Sequence, residues 1–128
     1  MSYDQILRIT TLDLDGQKLI VPGLPGNLKD IVRVRIRSRD ILLSFARLET
    51  KITENELQGI ISSIEIEDNS AFSELVIKLQ NLKNNKKIQK LRSRITTYNL
   101  KKMKLLKNDS VFIYISSVSI DRQAYQLT

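Results

Sequence analysis

The chain has no cysteine and no histidine. Without cysteine there are no disulfide staples, thiolate metal sites or cysteine nucleophiles. Without histidine it lacks the commonest general base, the Ser-His-Asp triad and nearly every kind of zinc site. The opening residues, Met1-Ser-Tyr-Asp, carry neither the positive nor the apolar region of a secretory signal. The longest uncharged stretch, Ser110 to Ile120, is 11 residues, well short of the roughly 20 a spanning helix needs. These absences predict a soluble, cytoplasmic chain. A Gly-x-x-x-x-Gly-Lys-Ser/Thr phosphate loop, a dinucleotide fingerprint, an acidic metal cluster and a nucleophile elbow are missing too. The expectation is a protein that is not an enzyme, with no catalytic residue and no metal ligand.

What is present is a chain of 128 residues, enough for one compact domain or two very small ones sharing a core. Hydrophobic residues make up 41%, which supports a buried core. The net charge of +7 is unevenly spread. Seven acids lie between Glu49 and Glu74 against Lys51 alone, and eleven Lys or Arg with no acid lie from Leu75 to Asn108. A basic stretch of this kind suits an anion or a nucleic acid, and equally a set of solvated faces. Lys83-Asn-Asn-Lys-Lys reads as a hairpin tip, where lysines commonly sit without a partner.

Strand signals dominate. Ile6 to Leu14 alternates, Asp15-Gly16 is a hairpin turn, and Lys18 to Val21 runs back. Pro22 to Gly26 is an irregular connector. Ile31 to Arg37 alternates with Val32, Val34 and Ile36 on one face and Arg33, Arg35 and Arg37 on the other, as in a half-buried strand with a wet outer face. Ile41 to Ala46 is more continuously apolar. After a polar linker from Glu49 to Glu56, Leu57 to Glu67 is a long strand containing Gly59, a bulge or a point of close approach. Phe72 to Leu79 and Ile88 to Thr96 follow. Thr97 to Leu106 is the one helix candidate, with Thr97 as N-cap and Leu100, Met103 and Leu106 three residues apart. Val111 to Ile120 closes the strand series.

The predicted fold class is all-β: eight to ten short strands and one short helix. The strand-strand-strand-helix-strand order over 57–120 is compatible with an antiparallel barrel of the oligonucleotide/oligosaccharide-binding (OB) type. Barrels of this class that bind single-stranded nucleic acid join a basic groove to stacking rings. Here aromatics are only 5% of the chain and scattered, so core filling is the expected job for most of them. A basic single-strand-binding module is the alternative function, and nucleic acid is not the expected partner.

Residue order adds a resemblance. The runs Leu7 to Leu24 and Val32 to Ser44 resemble the segment that follows the ATPase domain in molybdate importer ATP-binding subunits. Asn55 to Ile61, Arg94-Ile-Thr and Ile115 to Ile120 resemble parts of the molybdate-binding barrel called TOBE or Mop. The resemblance implies a first β subdomain over 1–48, a Mop/TOBE-type barrel over 49–121 and a tail over 122–128. It also implies a non-catalytic regulatory domain, either excised from an importer ATPase or free-standing. That domain pairs with a second copy as a homodimer and holds molybdate or tungstate between protomers. Implied partners are an ATPase domain and a membrane permease, which would place the chain peripheral to the inner membrane.

Oxyanion contacts implied by the resemblance fall on Thr53, Asn55, Thr96, Asn99, Ser116 and Ser117, with Lys102 or Lys51 as a compensating positive charge. Two departures stand out. The family's Ser-Ala-Arg-Asn is Ile52-Thr-Glu-Asn here, and its Ile-Lys-Ser-Val is Ile115-Ser-Ser-Val. A unit charge pair about 4 Å apart is worth about 4 kcal/mol at an effective dielectric near 20. Glu54 in place of arginine reverses the sign of that energy, so weak or absent oxyanion binding is expected. Turn and strand-end capping accounts for Asn55, Thr96 and Ser117 equally well.

Overall fold

Alternation over Ile9–Leu14 and Gln17–Pro22 produces an antiparallel hairpin, β2 and β3, in register from Ile9 opposite Pro22 to Leu14 opposite Gln17. Its turn passes through Gly16 at φ +98°, where glycine has no Cβ to clash. The computed structural model describes residues 2–14, 16–23, 34–36, 40–49, 55–81, 89–116 and 119–120. Ser2–Asp4 (β1) pairs with the outer edge of β2. The strand expected from Ile6 begins only at Ile9. Asp4 Oδ1 accepts the N–H groups of Ile6 and Leu7 at 2.9 and 3.0 Å, and Arg8 turns the chain at φ +58°. The carboxylate captures those donors before the ladder can, and Ile6 and Leu7 are left exposed.

The larger sheet has five strands: β5 (Ile41–Ser44), β6 (Asn55–Ile66), β7 (Phe72–Leu79), β8 (Lys90–Thr96) and β9 (Ser110–Ile115). Their spatial order is β5-β9-β6-β7-β8 and every pair is antiparallel. Thus Ile41–Ser44, which the sequence groups with residues 1–48, is hydrogen-bonded to β9. Val34–Arg35 (β4) likewise pairs with Ser119–Ile120 (β10). The rest of the arginine row, the Lys83–Lys87 turn and the tail from Asp121 lie outside the described residues.

β6 organises the sheet. Its first half pairs with β9 over Asn55–Ile60 and its second half with β7 over Gly59–Ile66. The two pairings overlap at Gly59, where a Cβ would lie 2.7 Å from both Ile77 Cγ2 and the Lys78 carbonyl oxygen. Only a residue without a side chain lets β7 approach there, so Gly59 is the point of close approach. The bulge falls two residues later, between Ile61 and Ser63, and bends the strand. The inward face is aliphatic, with Leu57, Ile61, Leu75, Ile77 and Ile113 essentially inaccessible to water.

The helix, α1, is Thr97–Met103 and its N-cap is Thr96, whose hydroxyl oxygen accepts the Asn99 N–H at 3.1 Å. Thr97, expected to be the cap, instead places its hydroxyl 2.8 Å from that of Ser73. The helix stops three residues short of Leu106 because Lys104 adopts the left-handed conformation at φ +56°. That turn buries Leu105 in the core and leaves Leu106 exposed.

β3 meets β6 through two side-chain amides. Gln17 Nε2 donates to the carbonyls of Gln58 and Gln80 at 2.9 Å each, and its Oε1 accepts the Gln58 N–H at 2.6 Å. From the opposite strand, Asn55 Oδ1 accepts the Ile20 N–H at 2.7 Å and its Nδ2 donates to the Ile20 carbonyl at 2.9 Å. The pairs 17/58 and 20/55 share one antiparallel register. Side chains here replace a backbone ladder along the edge of β6 that β7 does not reach. Among the described residues no helix is long and apolar enough to cross a membrane.

Candidate functional site

The candidate oxyanion residues fall at two ends of the five-stranded sheet. At the end where β6 starts, Asn55 sits opposite Ile115 and is only 2% exposed. Its amide is committed to the Ile20 backbone, which makes it a docking residue. Ser116 follows β9 on the surface. Its N–H donates to the Asp40 carbonyl at 2.9 Å, and its hydroxyl lies 3.3 Å from that carbonyl and 3.5 Å from the Asp40 carboxylate. An anion approaching Ser116 therefore meets a carboxylate where the resembling family has a lysine. Thr53 and Ser117 lie outside the described residues, as does Glu54.

At the other end, Thr96 pairs with Phe72, beside the far end of β6, and opens into α1. Asn99 and Lys102 are exposed on the helix, with the Lys102 ammonium 5.9 Å from the centre of the Tyr98 ring. Thr96, Asn99 and Lys102 thus form one local cluster. It is separated from Asn55 by the length of β6, whose 12 residues would span roughly 40 Å if straight. Within one chain the two groups do not converge.

A second polar cluster, missed in the sequence, lies beside Asn55. Tyr114 belongs by register to the outward face, opposite Glu56, yet it is 1% exposed. The segment after β5 crosses over it. Leu48 N–H donates to the phenol oxygen at 2.8 Å, the phenol donates to Glu56 Oε1 at 2.8 Å, and Arg47 Nε approaches Glu56 Oε2 at 3.5 Å. Burial, chiefly, raises the Tyr114 pKa above 10.0; the Leu48 hydrogen bond works against that shift and the neighbouring Glu56 adds to it. The phenol stays protonated and acts as a hydrogen-bonded post under the linker. Two long-range hydrogen bonds of one tyrosine leave no mark on local sequence pattern.

The other aromatics overturn the core-filling expectation. Phe45, Phe72 and Tyr98 are exposed and Tyr3 and Phe112 are half-buried, so among the described aromatics only Tyr114 is in the interior. A period-two reading contains this signal. Phe72, Glu74, Val76 and Lys78 share one face of β7, opposite the buried Ser73, Leu75, Ile77 and Leu79.

Among the described residues no group of three or more Asp or Glu is placed to hold a metal ion. No protein-family model matches the chain, and no curated protein matches it. Among solved structures, the fold is similar to that of ModG, a cytoplasmic molybdate-binding protein crystallised with molybdate bound, with a TM-score of 0.58 and 18% identity over 83% of this chain and 78% of that one. At that identity the likeness is one of fold: a mostly β, OB-like architecture with one short helix.

Proposed function

We propose that this chain is a non-catalytic Mop-like domain that pairs with a second copy, in a form whose capacity to hold molybdate or tungstate is weak or lost. The observation that carries this reading is the fold likeness to molybdate-bound ModG across most of both chains. The resemblance of Val32 to Ser44 and of Asn55 to Ile61 to the same class of barrel supports it. The division into an N-terminal unit (1–48), a barrel (49–121) and a tail (122–128) belongs to the proposal, with β5 lending its hydrogen bonds to the barrel sheet. So does a regulatory place beside an importer ATPase and its permease in the cytoplasm, where pairing of the domains would hold or sense the ATPase dimer.

A dianion removed from water needs several N–H or O–H donors and compensating positive charge. The separation of Asn55 from Thr96 means that a second protomer would have to complete any such set. The groups available weaken it further. Asn55 is spent on Ile20 and the exposed Ser116 is beside Asp40, so among the described residues the exposed candidates clear of a carboxylate are Asn99 and Lys102 around the capping hydroxyl of Thr96. Isothermal calorimetry with molybdate and tungstate at neutral pH tests this, with no heat at micromolar anion expected. Micromolar or tighter binding would overturn the degenerate form. Sedimentation equilibrium tests the pairing, and a monomer at all concentrations would overturn that part.

A further inference from the structure

The outward face of the five-stranded sheet is organised in two parallel rows that the oxyanion reading does not use. On the edge strand β8, Lys90, Arg92 and Arg94 all point outward and are exposed, and Lys78 stands opposite Lys90 on β7. Lys78, Lys90 and Arg92 make no ion pair with the described residues. Inward from this cationic row, exposed apolar and aromatic side chains alternate with Glu74, Glu65 and Ser63. Phe72 is 41% exposed at one end, Val76 lies in the middle, and Ile60 and Phe45 are 46% and 48% exposed at the other. From Phe72 to Lys78 the row covers about 20 Å.

At its far end the row opens into a cavity of about 390 Å³ whose lining includes Phe45, Phe112, Gly59, Ile60, Gln58 and Gln80. Two of the rings are flanked by guanidinium groups. Arg94 lies 4.5 Å from the centre of Phe72, and Arg47 lies 5.4 Å from that of Phe112. Such pairs present flat, cationic and π surfaces together.

We infer that this face binds single-stranded nucleic acid, with the phosphate backbone along Lys90, Arg92 and Arg94 of β8 and bases over Phe72 and in the Phe45–Phe112 cavity. Cations beside exposed rings are what stacking platforms require, since every base has a π face and every nucleotide a phosphate. The charge distribution selects this occupant over a second copy of the chain. Two such faces brought together would set cations against cations, offset near the cationic row by Glu65 and Glu74 among the described residues, and Glu74 already lies opposite Arg94. Those two carboxylates stand inward of β8, which keeps phosphates on the edge strand and leaves the bases to the inner strands.

Fluorescence anisotropy of the full chain with labelled 12-nucleotide single strands of DNA and RNA tests the inference. Binding is expected at 50 mM salt, and three neutralised phosphates give a slope of log affinity on log salt of about −2. Lys90→Ala with Arg92→Ala should flatten that slope by about 1.4. Phe45→Ala and Phe72→Ala should each weaken binding about 5- to 100-fold with the slope unchanged. These side chains are exposed, and an unaltered circular dichroism melt confirms that the variants fold. Absence of binding at 50 mM salt overturns the inference. Aromatic variants that bind like the parent also overturn it, because charge alone would then explain the retention. A change in sedimenting mass caused by Phe45→Ala or Phe72→Ala would identify the face as a contact between copies and overturn it as well. None of these results bears on molybdate binding.

Discussion

The two ends of the five-stranded sheet handle polar side chains in opposite ways. Where β6 begins, Asn55, Gln17, Glu56 and Tyr114 are turned into internal fastenings, each with defined partners and little exposure. Where β8 passes into α1, Thr96 caps a short helix while Asn99 and Lys102 stay in water. The expected oxyanion set draws on both ends. At one end Asn55 has been consumed by the fold, while at the other Asn99 remains open to a ligand, so residue type and position alone do not separate a binding amide from a structural one. What separates them is whether the amide has already met its partners.

The contrast is sharpest for Asn55→Ala. It leaves the N–H and C=O of Ile20 unpaired at a buried junction, at about 1–3 kcal/mol for each orphaned group. A loss of roughly 2–5 kcal/mol in urea unfolding is expected, and a loss below 1 would mean that β3 is not docked through this amide. Tyr114→Phe comes next, at about 1–2 kcal/mol, because the Leu48 N–H and Glu56 lose their shared partner. It also carries a pH signature. The raised folded pKa means that the fold favours the neutral phenol, so its contribution is intact below about pH 10 and lost as pH rises through the folded value. The stability gap between parent and Tyr114→Phe should therefore shrink above about pH 10, and a gap that widens there would contradict the burial argument.

Smaller effects belong to the open end. Thr96→Ala removes the cap of α1 and should cost about 1 kcal/mol, read as a lowered melting temperature. Lys102→Ala should stay within about 0.5 kcal/mol of the parent. If Lys102→Ala proved as costly as Asn55→Ala, the two ends would be alike and the contrast would fail.

Much of the architecture was legible because periodicity two is local. The β2–β3 hairpin, the long β6 and the β7–β8 pair follow from alternation and from turn residues such as Asp15-Gly16. The errors came where a single residue outbid the pattern. Asp4 withdrew Ile6 and Leu7 from the ladder, and the left-handed Lys104 exchanged Leu106 for Leu105 in the core. At the site, Asn55 was legible as a residue of interest but not as a fastening, because its partner Ile20 lies 35 positions away. The aromatic face was legible in principle. Alternation places Phe72 with Lys78 and Phe112 with Ser110, on the side opposite the β-branched core.

The amide bridges between β3 and β6 carry a kinetic consequence. The N–H groups of Ile20 and Gln58 are held by asparagine and glutamine oxygens, so they should resist deuterium exchange as firmly as ladder amides do. Neither fastening contains an ionisable group, so that protection should persist across neutral pH and high ionic strength. The small and large sheets should then open together as a single foldon, although no backbone ladder joins them along this seam.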